Sequence, residues 1–298
     1  MTAAATHSAA PGRVVAAYRR QFDVALADGT RIACMLKGRS TQIAVGDRVA
    51  VTSVAGGGVI DAVLPRANLI YRSDAFREKL LAANVTQIAG VVAPDLPIDD
   101  ELIHRWMIAA ESAGCRFVLF ANKSDLPGAA LLRERLAPVV ALGYPVVELS
   151  ARSDAAPARP WLAGRHTILV GQSGMGKSTL INAISPGAAA RTTDISTALK
   201  SGRHTTTATV LYELPDDGAD TWVVDSPGIK VFGLAHLTPD RIAEAFVEMR
   251  PYLGHCRFRD CRHRAEPDCA LIAAVGAGHI APHRLALLHT LVAEASNK

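Results

Sequence analysis

The chain has 298 residues, of which 49% are hydrophobic and 20% are charged, and its formal net charge is +4. This length allows two or three domains with buried cores. No apolar run approaches the ~20 residues that cross a bilayer, and the N-terminus lacks the basic-then-apolar pattern of a secretion signal. We therefore expect a cytoplasmic protein with no membrane association, in which residues 1–12 form a disordered leader.

Residues 13–72 contain five short runs in which apolar and polar residues alternate, separated by turn signals such as ADGT and AGGG. This rhythm predicts a small all-β barrel. The segment is basic, with nine Arg or Lys against four Asp, which favours an OB-like barrel that contacts nucleic acid. Strand rhythm alone does not separate an OB barrel from an SH3-like barrel.

Residues 73–236 alternate between strand patterns and helix patterns. The strand runs include QIAGVVA, CRFVLFA, PVVELSA, HTILV, ATVLYEL and TWVVD, and the helical runs are DDELIHRWMIAAESAG, AALLRERLAPVVALG and KSTLINAIS. This alternation predicts an α/β domain whose parallel sheet is covered by helices on both faces.

Residues 237–298 show no strand pattern. A single helix is predicted over PDRIAEAFVEMRPYL, and apolar residues recur at helical spacing from Cys269 onward. A group of cysteines with one histidine lies between these segments. The sequence therefore predicts a helical C-terminal domain built around that group.

The stretch GQSGMGKST follows a predicted strand and opens a predicted helix, which is the context of a phosphate-binding loop. Its glycines let backbone N–H groups face the β-phosphate, where the helix N-terminus adds positive potential. Lys177 is expected at the β- and γ-phosphates and Ser178 on Mg²⁺. The predicted loop residues are Gly171, Gln172, Ser173, Gly174, Met175, Gly176, Lys177, Ser178 and Thr179.

A base-recognition motif, NKSD, follows the strand CRFVLFA. Asp125 can accept hydrogen bonds from N1–H and the exocyclic amine of guanine, whereas adenine would leave this carboxylate unpaired. Beside a phosphate loop, this favours a guanine nucleotide and argues against an ATPase. Asn122 is expected to brace the loop next to Lys123. Ser150 and Ala151, in the run SAR, fit the backbone contact to the guanine oxygen.

Two further segments predict nucleotide-sensing switches. Asp225 ends the strand TWVVD and begins DSPG, where a carboxylate can hold Mg²⁺ through water. The N–H of Gly228 can bond to the γ-phosphate, and hydrolysis would remove that contact. In the segment GRHTTT, Thr206 is expected to close over Mg²⁺, although a plain polar loop is the alternative interpretation.

Position 229 bears on catalysis. Many GTPases place a Gln after this motif to orient the attacking water, and this chain has Ile229, so intrinsic hydrolysis should be slow. His204 is a candidate to orient the water or accept its proton. Contact with RNA phosphate, or a solvent-facing position, is an equally open interpretation of His204.

The pattern Cys256-x₄-Cys261-x-His263-x₅-Cys269 supplies three thiolates and one imidazole. These four ligands would complete a closed tetrahedral site for one structural Zn²⁺, which leaves His255 outside the set. Unlinked cysteines around a loop are the alternative. The surrounding Arg257, Arg259, Arg262 and Arg264 favour contact with RNA phosphate.

In the order NKSD, SAR, GQSGMGKS, GRHTTT, DSPG, the guanine-reading motif precedes the phosphate loop, whereas it follows that loop in an ordinary GTPase. This order resembles the circularly permuted GTPases. With the barrel and the Cys/His group, the chain resembles the ribosome small subunit-dependent GTPase A (RsgA) family over nearly its whole length. The implied fold is a circularly permuted α/β P-loop GTPase domain between an N-terminal all-β OB-like barrel and a C-terminal helical zinc-binding domain.

That resemblance implies hydrolysis of GTP to GDP with Mg²⁺, stimulated by the small (30S) ribosomal subunit. It also implies rRNA binding and a role in late maturation of that subunit. A monomer is expected. The alternative function is a GTP-gated RNA-binding module in which hydrolysis is incidental.

Overall fold

The computed structural model describes residues 9–18, 21–38, 42–73, 78–185, 209–214, 220–226 and 232–296. The strands of this part are β1 (Ala10–Ala17), β2 (Gln21–Leu26), β3 (Arg31–Leu36), β4 (Arg48–Val54), β5 (Gly57–Val63), β6 (Leu69–Ser73), β7 (Glu78–Ala83), β8 (Gln87–Val92), β9 (Arg116–Ala121), β10 (Val146–Glu148), β11 (His166–Val170), β12 (Thr209–Glu213) and β13 (Trp222–Asp225). The α-helices are α1 (Asp100–Ser112), α2 (Ala129–Ala141), α3 (Arg159–Leu162), α4 (Lys177–Ile184), α5 (Pro239–Glu244), α6 (Ala270–Gly276) and α7 (Pro282–Ser296).

The first five strands close into a barrel. β1 pairs with both β2 and β4, and β5 lies between β3 and β4, parallel to β3. This crossover is the Greek-key arrangement of an OB barrel rather than a meander of consecutive strands. Alternate residues point inward, so that Val14, Val24 and Cys34 are fully buried in its core.

β1 begins at Ala10, inside the segment that the sequence assigns to the leader. Ala10, Pro11 and Gly12 pair with β4, although the run Ala-Pro-Gly has little strand propensity. Gly12 lies against the side chain of Val24, where a larger residue would clash. Packing, rather than local preference, therefore decides where this strand starts.

The α/β part has the strand order β10-β9-β8-β11-β13-β12, parallel throughout except for β12, which runs antiparallel to β13. Neighbouring residues of one strand enter different cores: Ile168 packs on one face of the sheet and Leu169 on the other. The predicted parallel sheet with both faces covered is confirmed.

The two sheets are joined, which the sequence does not predict. Ala16 and Ala17 of β1 pair with Val210 and Thr209 of β12, so the barrel continues the α/β sheet into one of eleven strands. Arg13 flanks this junction with a bidentate ion pair to Asp220, at 2.8 and 2.7 Å.

A hairpin of β6 and β7 follows the barrel and forms a separate two-stranded sheet. It spans the predicted domain boundary at residue 72. The hairpin was not predicted because charged residues interrupt the apolar alternation of the run YRSDAFREKLLAA. The backbone N–H of Ala83 donates to Val45, which fixes the hairpin to the barrel.

The predicted single helix over residues 239–253 is wrong. α5 ends at Glu244, and a short 3₁₀ turn, Arg250–Tyr252, follows. Arg250 Nε donates to the backbone oxygen of Glu244 at 2.7 Å, and so takes the carbonyl that a continuing helix would need. Pro251 also lacks the N–H for such a helix.

The C-terminal region packs on α1 through a buried polar network. Arg284 of α7 donates to Glu248 at 2.6 and 3.1 Å and to His104 Nδ1 at 3.0 Å. Burial lowers the pKa of His104 to about 4, helped by Arg284 and His283 and opposed by Asp100. His104 is therefore neutral near pH 7. None of the helices in the described part of the chain is long and apolar enough to span a membrane.

Candidate nucleotide and metal sites

The predicted nucleotide motifs meet at one edge of the sheet. The phosphate loop follows β11, NKSD follows β9, and Asp225 ends β13, and these parallel strands share one direction. Gly176 adopts φ = 95° and lies against the side-chain amide of Asn122, so that any side chain at this position would overlap it. Close packing of the loops explains this glycine.

Lys177, at the start of α4, is only 7% exposed. Its Nζ donates to the backbone oxygens of Gly171, at 2.7 Å, and Gln172, at 3.1 Å. Burial lowers the pKa of Lys177, while the carboxylate of Asp225 opposes this effect. The ammonium group thus lies inside its own loop, where phosphate oxygens can replace the carbonyls.

Ser178 and Asp225, which the sequence predicts near Mg²⁺, contact each other. Ser178 Oγ donates to Asp225 Oδ2 at 3.0 Å. Burial raises the pKa of Asp225, and the hydrogen bond from Ser178 and the charge of Lys177 lower it in part. Oxygen ligands of this kind suit Mg²⁺, which would be held by Ser178 directly and by Asp225 through water.

Asn122 connects three of the predicted motifs. It is 1% exposed; its Nδ2 donates to Met175 O, and its Oδ1 accepts from Ala151 N, both at 2.9 Å. The bracing role predicted for Asn122 therefore has a geometric basis. The N–H of Ala151 already has this partner, so its contact with guanine, which stays a prediction, would require a shared hydrogen bond.

Asp125 is exposed beside Ser150. A hydrogen bond from Ser150, and the charges of Arg152 and Lys123, lower the pKa of Asp125. The group is therefore an ionised acceptor at neutral pH, as recognition of the guanine N–H donors requires.

Asp95 is a residue of the candidate site that was not predicted from the sequence. Lys123 Nζ contacts its two carboxylate oxygens at 3.0 and 2.7 Å and donates to Gly174 O at 2.9 Å. Asp95 therefore orients Lys123, which connects the NKSD motif to the phosphate loop by a hydrogen bond. Its position just after β8, at the same sheet edge, was the available signal.

Four predicted positions lie outside the described residues: His204, Thr206, Gly228 and Ile229. Their roles stay predictions.

Cys256, Cys261, His263 and Cys269 come together as predicted, with their ligand atoms all within 4.8 Å of one another. The two sulfurs of Cys256 and Cys269 are 3.8 Å apart, and His263 Nδ1 is 3.4 Å from each. A tetrahedron with Zn–S bonds of ~2.3 Å has edges of about 3.8 Å. The cluster could therefore hold one zinc ion, with all four positions filled by protein.

Several contacts fix the backbone and side chains around the cluster. His263 adopts φ = 59°, and its carbonyl is contacted by His289 Nε2 at 2.9 Å. Burial lowers the pKa of His263, which favours the neutral imidazole that binds metals. The carboxylate of Glu266 accepts from the N–H groups of Arg262 and Arg264, both at 2.8 Å.

Comparison with known proteins decides the family. The family described as RsgA GTPase matches residues 63–235. The chain is 50% identical over 294 residues to "Small ribosomal subunit biogenesis GTPase RsgA" of Burkholderia pseudomallei (strain K96243), covering 96% of this chain and 93% of that protein. This chain belongs to the RsgA GTPase family. A protein of the same name from Nitrosomonas europaea is 45% identical over 292 residues, covering 96% of this chain and 92% of that protein.

Solved structures agree with the fold. YjeQ from Thermotoga maritima has a TM-score of 0.72 and 30% identity, covering 97% of this chain and 99% of that one. YloQ, described as a circularly permuted GTPase, has a TM-score of 0.69 and 22% identity, covering 99% and 98%. The predicted circularly permuted GTPase fold is confirmed. As a member of the RsgA GTPase family, the chain is a GTP-hydrolysing enzyme.

Proposed function

We propose that this chain is a GTPase that the small (30S) ribosomal subunit stimulates, and that it acts in late maturation of that subunit through contacts with rRNA. The observation that carries this proposal is the meeting of Lys177, Ser178, Asp225 and Asn122 at one sheet edge. The named relatives, 45–50% identical over 96% of the chain, connect that site to small-subunit biogenesis.

In this proposal, guanine pairs with Asp125 while Asn122 and Lys123 hold the base loop against the phosphate loop. When GTP binds, the ammonium group of Lys177 exchanges its hydrogen bonds with two backbone carbonyls for contacts with the β- and γ-phosphates. This exchange requires only a shift within one loop. Ser178 and Thr206 would hold Mg²⁺, which would supply positive charge to neutralise the transferred phosphoryl group. The remaining residues of the phosphate loop present backbone N–H groups.

Hydrolysis requires water in line with the γ-phosphate. Ile229 can neither donate to that water nor accept from it, so the free protein turns over slowly. Binding to the small subunit supplies or orders the missing group, for which His204 is this chain's candidate. Loss of the γ-phosphate then removes the contact at Gly228 and releases that segment.

Partner binding involves the basic barrel and the Cys/His loop. Phosphate contacts from arginines do not depend on sequence and weaken with salt. Zinc has a structural role here, since four protein ligands leave no open position. We propose a cytoplasmic monomer as the working form.

The test measures GTP turnover of the purified protein alone, with small ribosomal subunits, and with large subunits as the matched control. A large rise with small subunits only is expected. Tight GTP binding without any rise would contradict the proposal and favour a GTP-gated RNA-binding module. In the same assay, His204→Ala should lower stimulated turnover but preserve GTP affinity; unchanged turnover would remove His204 from catalysis.

A further inference from the structure

Phe258 is an unusual surface residue in the Cys/His loop. It is 42% exposed, and it is the one aromatic among the large hydrophobic residues that are exposed in the described ranges. It lies between two metal-ligand residues, and the N–H of Cys261 donates to its carbonyl at 3.3 Å. The loop therefore holds this ring outward from a short turn tied at both ends to the cluster.

Four arginines lie in the chain around Phe258, and three of them are without an ionic partner in the described part of the chain. The guanidinium of Arg257 lies 5.5 Å from the ring centroid and pairs with Asp268 at 3.1 Å. Arg259, Arg262 and Arg264 are exposed and form no ion pair with another described residue. Of the nearby acids, Glu266 is committed to backbone N–H groups, which lower its pKa to about 2. Asp260 lies in the same loop, and Asp240 and Glu244 line the neighbouring cavity together with Arg259.

A cavity of about 260 Å³ borders Phe258, between the loop and α5. Cys256, Cys261 and His263 form its more buried wall, whereas Phe258, Arg259 and the carboxylates of Asp240 and Glu244 form its exposed rim. Its size lies below the ~300–1,000 Å³ of pockets for drug-sized ligands. The two carboxylates repel phosphate, so the cavity suits a small neutral ring.

We propose that Phe258 stacks against one unpaired nucleobase of RNA at the mouth of this cavity, while Arg259, Arg262 and Arg264 bind the phosphates beside it. Bases inside a duplex are stacked on each other and cannot reach the ring, whereas unpaired bases stack readily on exposed aromatics. This inference rests on the proposed function for its RNA partner. It adds the form of RNA, an unpaired segment, and the residue that reads it.

The test uses the full zinc-loaded chain with fluorescent single-stranded RNA and a duplex of the same length, followed by anisotropy. Phe258→Ala and Phe258→Leu should each weaken single-strand binding about tenfold, the effect of one lost base stack, and leave duplex binding unchanged. Phe258→Trp should preserve single-strand binding. Ile272→Ala, which trims another exposed apolar side chain of the same domain, is the matched control and should be neutral. Zinc content of each variant verifies the fold.

If Phe258→Leu bound single-stranded RNA as tightly as the wild-type chain, the inference would be overturned. The π-face of the ring would then be irrelevant, as it is at an apolar protein contact. Equal losses for single strand and duplex would overturn it too, as would an absence of RNA binding by the wild-type chain. The turnover assay with small subunits tests the proposed function separately. One outcome is that the turnover assay shows no stimulation while Phe258→Ala weakens single-strand binding and leaves duplex binding unchanged. In that case the proposed function fails and this inference stands.

Discussion

The nucleotide site and the Cys/His cluster differ in how their polar groups find partners. At the nucleotide site, protein groups already satisfy the polar side chains: Lys177 has two carbonyls, Asn122 has two backbone partners, and Ser178 has Asp225. At the cluster, the four ligand atoms face chiefly one another. The first site is held together by hydrogen bonds within the protein. The second has the ligand types and spacing that one zinc ion would complete, because a bound metal stabilises cysteines as thiolates at this distance.

Breaking the cluster should have the largest effect. Cys256→Ser removes one of four ligands, and structural zinc contributes about 10–16 kcal/mol to small zinc domains. We expect the segment 255–269 to lose its protection from hydrogen exchange, while GTP affinity changes less than about twofold because the nucleotide site does not use zinc. Chelator treatment of the wild-type chain is the parallel experiment. Unchanged exchange in both would mean that the fold, rather than metal, holds this loop.

The base contact should give the next largest effect. Asp125→Asn replaces an acceptor with an amide whose donor opposes the guanine N–H groups, whereas xanthine offers an acceptor there. The preference for guanine over xanthine nucleotides should change by on the order of 10⁴, as competition binding would measure. The thermal midpoint should stay constant because Asp125 is exposed. An unaltered preference would remove Asp125 from base recognition.

Lys177→Ala tests whether the loop is preformed. Loss of the ammonium group should reduce turnover by roughly 10²–10³, the typical effect of removing one group that stabilises developing charge. Burial lowers the pKa of Lys177, which means that the folded protein disfavours the charged form of this side chain. The free energy of unfolding should therefore fall little, or even rise, when the lysine is removed. Turnover and denaturant midpoint are measured together. A collapse of stability would show that this lysine builds the site it serves.

His104 provides the smallest and most specific test, away from both sites. Its pKa is about 4 in the folded chain and ~6.5 when unfolded. The unfolded chain thus binds a proton first, and the stability contribution of neutral His104 is complete above pH ~6.5 and declines as pH falls toward 4, by at most about 3 kcal/mol. His104→Asn keeps an acceptor for Arg284 but cannot titrate. It should flatten the pH dependence of unfolding between these values relative to wild type; identical profiles would contradict the assignment.

The parts of the fold and site that depend on local sequence pattern could be predicted from the sequence. The barrel strands, the parallel sheet and the meeting of NKSD with the phosphate loop follow from alternation, spacing and the rule that parallel strands end at one edge. The Cys/His cluster followed from ligand type and spacing, together with the resemblance to the RsgA family. In each case the residues that matter stand close together in the chain or at the end of a recognisable strand.

What escaped prediction depends on distant partners. Arg284 looks like a surface residue of an amphipathic helix, yet it is 2% exposed because Glu248 and His104 meet it. The break after Glu244 depends on an arginine six residues later. Asp95 has no motif of its own. Such positions are set by tertiary contacts, which composition and periodicity do not encode.

The pairing of β1 with β12 also bears on how this protein can be dissected. β12 ends the α/β sheet, and a bare sheet edge offers unpaired N–H and C=O groups to any other strand. The barrel covers part of that edge through Ala16 and Ala17. A truncated chain that begins after Val63 would uncover it, so we expect such a fragment to self-associate in light-scattering measurements. The barrel thus occupies an edge of the enzyme's sheet that would otherwise be open to pairing with another strand.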